Sequence, residues 1–312
     1  MRVLWSIHLY YPRHGAGAES MTRTINKYLI SQGHEVKILL HQANKHKITE
    51  MEEFEGVMIF PPDDYTIDRL FVWADVIITY LDYTKWTSYK CVEYKKPMIF
   101  VSHNDINYSS IIDSPCPVKV IYNSEWTKNV LNYVHPSFVF PPPVDESMKV
   151  ENREKKYIAM VNLNSNKGAM QFYSVAKKLP QYQFLAIKGS YDNQIVSTLP
   201  NVKTVPNVPD IRVYYKEVAI MLCLSHYESW GLVAGEAMMN GIPLICNPTP
   251  GLNENVGKGG IFINRKDTQK IADEITKLME DEKYYQKWSK AGLKRFQELK
   301  PDFKGLESFI FS

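Results

Sequence analysis

Two carboxylates, Glu228 and Glu236, stand eight positions apart with Gly231 between them. An apolar run from Val218 to Leu224 precedes them and is long enough for one buried strand. A polar corner follows, Ser225 to Ser229. Gly231 then opens an expected amphipathic helix to about Asn240, which Gly241-Ile242-Pro243 stops. This order places Glu228 in a loop after a strand and Glu236 in the second turn of a helix. The helix start between them offers free N–H groups and the positive end of a dipole, which suits a phosphate. A carboxylate beside a phosphate is costly unless it accepts from hydroxyl groups, which a ribose diol or a sugar supplies. The plain alternative is a solvated Glu228 and a surface Glu236.

Other stretches carry chemistry-bearing side chains. His14-Gly15-Ala16-Gly17-Ala18-Glu19 follows a strand, and its glycines permit positive φ and close approach of backbone to a ligand. The spacing is not G-x-G-x-x-G, and His41, not an acid, follows the second strand, which argues against a dinucleotide-binding dehydrogenase. Ser102-His103-Asn104-Asp105 ends a strand, where open α/β sheets bind ligands. Lys167-Gly168 opens a helix, and a lysine at a helix start is disfavoured by the dipole unless an anion joins it. Asp63-Asp64 after two prolines reads as a solvated pair in a turn, because a Mg²⁺ site recruits further oxygen ligands that the sequence does not place.

Glu228-Ser229-Trp230-Gly231, Glu236-Ala237-Met238, Gly241-Ile242-Pro243, Pro250-Gly251 and Glu254 together resemble the E-x7-E signature of the family 4 retaining glycosyltransferases. The resemblance implies that Glu236 holds the nucleotide ribose and that Glu228 and Glu254 lie against the donor sugar. It implies that the backbone at Gly231, Leu232 and Val233 cradles the diphosphate and that the loop around Val208, Pro206 to Asp210, holds the base. Gly15, Ala16 and Gly17 would face the phosphates and the acceptor. His103 would stand beside the reacting sugar, donating to a hydroxyl or stabilising developing charge. Lys167 would bind the phosphates with an Arg five positions earlier. Asn162 occupies that position instead, and brings no charge to a contact that Arg would make bidentate. Lys188 and Arg13 are the candidates to replace it.

The elements that must position these groups alternate between strand and helix periods. Val3–Ile7, Glu35–Leu40, Val57–Phe60, Val76–Thr79, Pro97–Val101 and Val118–Ile121 read as strands. Glu19–Ser31, Leu81–Tyr94 and a capped segment after Ser124 read as helices, and Gln42–Phe54 as an irregular loop. Phe138 runs into three prolines, Pro141 to Pro143, which cannot continue a central strand. The expected division is an acceptor-side domain at 1–148, a donor-binding domain at 149–300, and a terminal helix at 301–312 crossing back to the first. The expected fold class is α/β, two Rossmann-like domains facing across a cleft in the GT-B arrangement.

A chain of 312 residues with 45% apolar content can bury two cores. Net charge is +3, too small to argue for a nucleic-acid partner and too small to exclude one. Four cysteines without metal-ligand spacing read as reduced thiols. No apolar run approaches the roughly 20 residues of a membrane helix, and Met1 is expected to lead directly into a strand with no signal segment ahead of it. The expectation is a cytoplasmic enzyme, with peripheral contact at a membrane left open by lipid-linked acceptors. The donor would be a UDP- or GDP-linked hexose, with no cofactor and no metal. The acceptor would be a hydroxyl of a lipid-linked saccharide, a small molecule or a nucleic acid. Arg13, Lys45, His46 and Lys47 would suit an anionic acceptor and equally suit a solvated loop. Alternatives are a nucleotide-sugar-binding module without catalysis, a transferase acting on a modified nucleic-acid base, and a phosphorylase or epimerase. The oligomeric state is not legible.

Overall fold

The computed structural model describes residues 1–43, 48–106, 111, 114, 116–191 and 193–312, so Lys45, His46 and Lys47 lie outside the described residues. The chain divides into two compact units, Met1–Pro142 with Pro301–Ser312, and Pro143–Lys300.

The first unit runs β1 (Arg2–Ile7), α1 (Gly17–Ser31), β2 (Glu35–Leu40), β3 (Glu52–Phe54), β4 (Val57–Phe60), α2 (Asp64–Trp73), β5 (Val76–Thr79), α3 (Thr84–Glu93), β6 (Met98–Ser102), β7 (Val118–Tyr122), α4 (Glu125–Leu131) and β8 (Ser137–Val139). Its sheet order is β3-β4-β2-β1-β5-β6-β7-β8, parallel except for the β3–β4 pair. A parallel sheet is covered on both faces, so its strands are apolar without alternation. In β1, Val3, Trp5 and Ile7 pack with Met21, Ile25 and Leu29 of α1, while Leu4 packs with Leu70 and Phe71 of α2.

The second unit runs β9 (Tyr157–Val161), α5 (Ala169–Lys178), β10 (Gln183–Ile187), β11 (Val202–Val205), α6 (Arg212–Tyr215), β12 (Val218–Cys223), α7 (Leu232–Met239), β13 (Leu244–Cys246), α8 (Pro250–Val256), β14 (Ile261–Phe262), α9 (Thr268–Glu280) and α10 (Glu282–Glu298). Its strands, in the order β11-β10-β9-β12-β13-β14, are all parallel. One face packs on α5 and α9 through Phe172, Val175, Ile271 and Ile275, the other on α7 and α8 through Ala234, Met238, Leu252 and Val256. A final helix, α11 (Phe303–Phe311), belongs to the first unit, where Leu306 and Ile310 enter the core beside α1.

Several expectations are corrected. Gln42–Phe54 is not wholly irregular: Ile48 is buried and Glu52–Phe54 forms an antiparallel edge strand on β4. The Asp63-Asp64 turn is a helix start, with Asp63 capping α2 by accepting from the Thr66 N–H at 3.0 Å. A short α6 stands before β12 where none was expected. The helix after Gly231 is not amphipathic. Ala234, Gly235, Ala237, Met238 and Met239 are all buried, because α7 is sandwiched between the sheet and α10, where Met238 meets Gly292. Among the described residues, no helix is long and apolar enough to cross a membrane.

Candidate functional site

In the second unit the strand order reverses between β9 and β12, which are neighbours. Loops leaving the carboxyl ends of such a pair diverge to opposite faces and leave a crevice between them. Lys167 follows β9 and Glu228 follows β12, so this topology brings together side chains 61 positions apart. Lys167 Nζ lies 2.5 Å from Glu228 Oε2, and Ser225 Oγ donates to the same oxygen at 3.0 Å. The side chains are 21% and 16% exposed. Burial works against the Lys167 ammonium, but the adjacent Glu228 carboxylate, joined by Tyr191 and Cys223, leaves the lysine pKa raised.

The loops are held firmly. The Lys167 N–H donates to Asn164 Oδ1 at 2.8 Å, the His226 N–H donates to the Asn166 carbonyl at 2.7 Å, and Arg265 reaches the Asn166 and Leu224 carbonyls at 3.4 and 3.3 Å. Gly168, at φ +93°, allows contact with Leu224; a Cβ there would stand 2.4 Å from the Leu224 carbonyl oxygen. Gly231 caps α7 at φ +87° with no side-chain hydrogen bond to the helix start, whose first N–H groups, those of Leu232 and Val233, have no partner within the helix. A Cβ on Gly231 would lie 3.2 Å from Glu228 Cγ, so the Lys167–Glu228 pair stands beside this helix start.

Glu236, one turn along α7, keeps part of its surface, but its carboxyl group is enclosed. Burial raises its pKa to about 7, and a hydrogen bond from Tyr215 opposes the rise. The Tyr215 hydroxyl donates to Glu236 Oε2 at 2.6 Å. Asn162 sits at φ +68° with only 6% of its surface exposed, and its Oδ1 accepts from the Asn164 N–H and from Gln194 Nε2 at 3.3 and 3.0 Å. Its side chain braces the loop. Lys188 is exposed after β10. Val208 is half-buried in the loop after β11, and Glu254 lies in α8, its carbonyl accepting from Arg295.

In the first unit, Gly17 is the first residue of α1, and neither Gly15 nor Gly17 has a positive φ. Gly15 is needed for space instead, since a Cβ would meet the Tyr11 ring at 2.8 Å. Glu19 closes the turn by accepting from the Ala16 N–H at 3.1 Å. It is 2% exposed, and burial raises its pKa to about 7. His8 and His14 approach its oxygens at 3.8 and 4.0 Å. His103 follows β6, with its ring edge-on to Tyr80 at 4.8 Å, and Tyr80 in turn is edge-on to His8 at 5.7 Å. Burial, reinforced by His8, lowers the His103 pKa to about 3, so it works as a neutral imidazole. Arg13 is paired with Glu52.

The second unit thus offers an ammonium, a free helix start and two carboxylates in adjoining positions, a set suited to a diphosphate flanked by hydroxyl groups. Among the described residues, no group of three His, Cys, Asp or Glu side chains could hold a metal ion. Sequence reasoning passed over Tyr215, Tyr80 and the burial of Glu19. Tyr214 and Tyr215 are alike in sequence, and only the packing of α6 turns one of them onto Glu236.

Residues 144–295 match the family model described as glycosyl transferases group 1. A capsular polysaccharide biosynthesis glycosyltransferase, CapM of Staphylococcus aureus, is 29% identical over 100 residues, 31% of this chain and 26% of that protein. The chain spans between 10% and 26% of the length of the curated relatives it matches. Among solved structures, HepE of Anabaena in complex with UDP-glucose has a TM-score of 0.75 at 16% identity, covering 100% of this chain and 98% of that one. Sucrose-phosphate synthase of Thermosynechococcus elongatus has a TM-score of 0.74 at 16% identity, over 100% of this chain and 97% of that one. The two structural likenesses span the whole chain and establish a GT-B fold, within which residues 144–295 match the glycosyl transferases group 1 model.

Proposed function

We propose that the protein is a retaining, metal-independent hexosyltransferase that uses a UDP- or GDP-linked donor and a hydroxyl acceptor. The observation that carries this reading is the Lys167–Glu228 pair set beside the open start of α7, with the Glu236 carboxyl one turn further on. That HepE, similar over the full chain, was solved with UDP-glucose supports a nucleotide-sugar at this place. The donor diphosphate takes the Leu232 and Val233 N–H groups and competes with Glu228 for Lys167. Glu228, released from the ammonium, accepts from a hydroxyl of the sugar, Glu236 accepts from the ribose, and the loop at Val208 meets the base. The bond from the anomeric carbon to the leaving phosphate oxygen breaks, and the acceptor oxygen bonds the same carbon on the same face. The acceptor proton passes to the departing diphosphate. Charge developing on the diphosphate meets Lys167 and the helix dipole, groups already in place, which is where most catalytic stabilisation arises. With these present, a divalent cation is not required.

The first unit would supply the acceptor side, with the Gly15–Ala16–Gly17 turn and a neutral His103 as hydrogen-bonding groups. A lipid-linked saccharide handled at the cytoplasmic face of a membrane is the acceptor we favour over a small molecule or a nucleic acid. The test is release of nucleotide from UDP- and GDP-hexoses, with chelator present. Slow hydrolysis that disappears in Lys167→Ala and Glu236→Ala supports the enzyme, and turnover indifferent to both substitutions refutes it. A second reading, a donor-binding module without turnover, is favoured by Asn162, whose buried side chain is committed to Asn164 and Gln194 and brings no second cation. Donor binding with no turnover across acceptors would establish that reading.

A further inference from the structure

We infer that Tyr215 is a positioning residue: it holds one oxygen of Glu236 so that the rest of the carboxylate is aimed at the vicinal diol of the donor's ribose. This rests on the assignment of Glu236 to the ribose proposed above. Tyr215 is 1% exposed, locked into the core beneath α7, and donates to Glu236 Oε2 at 2.6 Å. A buried phenol hydroxyl needs a partner, and this one finds it in a carboxylate. Burial and Glu236 hold the Tyr215 pKa well above its ordinary value, so the phenol remains a donor at every working pH. A glutamate has three rotatable bonds, and fixing one oxygen removes most of that freedom before the ligand arrives. The group that faces Glu236 from α6 is Tyr215. Cys223, at the end of β12, acts on Tyr215 and on Lys167. The Tyr215 hydrogen bond also opposes the burial that raises Glu236 to about 7, so it enlarges the ionised fraction that can accept from both diol hydroxyls.

The test is UDP affinity by titration calorimetry, from about pH 6 to about pH 9, for the wild type, Tyr215→Phe, Glu236→Gln and the double variant. The wild type should lose affinity as pH falls through about 7. Tyr215→Phe keeps the ring and loses only the hydroxyl. It should bind roughly tenfold more weakly at neutral pH, with the decline setting in at higher pH. The double variant should match Glu236→Gln alone, and 2′,3′-dideoxy-UDP should bind the wild type and Tyr215→Phe equally. Tyr215→3-fluorotyrosine keeps the ring and makes the hydroxyl a stronger donor. If the Phe variant does not fold, this one should move the decline to lower pH, and an unmoved decline overturns the role of Tyr215. A Tyr215→Phe protein with wild-type affinity and pH profile, beside a weakened Glu236→Gln, overturns the role of Tyr215 and leaves the ribose assignment standing. Losses that add fully in the double variant also overturn it. A wild type and a Glu236→Gln variant of equal affinity sink the ribose assignment and this inference together.

Discussion

At the scale of single residues, the site is a balance between buried opposite charges. Lys167 and Glu228 are mostly enclosed, and each is the other's principal compensation. Removing one partner leaves the other's charge poorly paired, which is worse than never having built the pair. Glu228→Gln should therefore destabilise the second unit by about 1–3 kcal/mol, read as a lower urea midpoint at unchanged slope. The lysine pKa is raised, so the pair's contribution is fully present below the unfolded value and is lost only as pH rises through the folded one. The deficit of Glu228→Gln should accordingly be constant across neutral pH. UDP binding should recover part of it by giving Lys167 a new anion. Both residues were conspicuous in sequence by type and spacing. Their contact was not, because it joins loops far apart in the chain.

At the scale of elements, two helix starts in the second unit depend on glycine for both conformation and room. Gly168 opens α5 at φ +93° and Gly231 opens α7 at φ +87°. An alanine at either position adopts a conformation that costs on the order of 1 kcal/mol, before any collision. The collisions differ. The new methyl at 168 would meet a backbone carbonyl oxygen at 2.4 Å, whereas at 231 it would meet the end of the Leu252 side chain at 2.6 Å. A side chain can rotate away and a buried strand end cannot. Gly168→Ala should thus lower the melting temperature more than Gly231→Ala, while Gly231→Ala should lose the greater share of UDP affinity, since the α7 start meets the diphosphate in the proposed site. Differential scanning calorimetry and titration calorimetry on the two proteins check the crossed order. The α5 and α7 starts were legible because Gly, ahead of an apolar run, is among the residues that cap a helix start. The sequence reads α7 as amphipathic, with Glu236 able to face solvent, and the packing decides otherwise. Glu236 instead turns to Tyr215, and Asn240 donates to the Glu236 carbonyl and accepts from the Val150 N–H.

At the scale of the whole molecule, the first unit is completed by a helix that arrives after the second. Leu306 of α11 is fully buried beside α1, and Glu307 bonds both Tyr28 and His34. Leu306→Ala should therefore destabilise the first unit by about 2–5 kcal/mol, visible as earlier loss of hydrogen-exchange protection in β1 and α1. The same unit buries titratable groups of opposite sign. His41 and His103 are held at about 3, chiefly by burial, so their neutral forms favour folding at neutral pH, and this is lost as pH falls from about 6.5 towards 3. Glu19 is raised to about 7, so its contribution is present below about 4.5 and is lost as pH rises through 7. Two histidines outweigh one carboxyl, and thermal stability should fall on acidification below about pH 6. Glu19→Gln should raise stability at about pH 8 relative to pH 6, by on the order of 1 kcal/mol, measured as the difference in chemical denaturation between the two conditions.

The sequence by itself determined the strand and helix alternation and singled out Glu228 and Glu236 as candidates, because apolar periodicity and glycine punctuation are local properties. It also marked Lys167 and Asn162 as the positions that would carry or lack a cation. Tertiary structure alone decided that Lys167 meets Glu228, that Asn162 is spent on Gln194 of the loop after β10, and that Tyr215 rather than Tyr214 faces Glu236. It alone decided the ionisation of Glu19, Glu236 and His103. The reason is that each of these depends on strand order and on desolvation. Both arise from contacts between segments far apart in the chain, and no local pattern of residues records them.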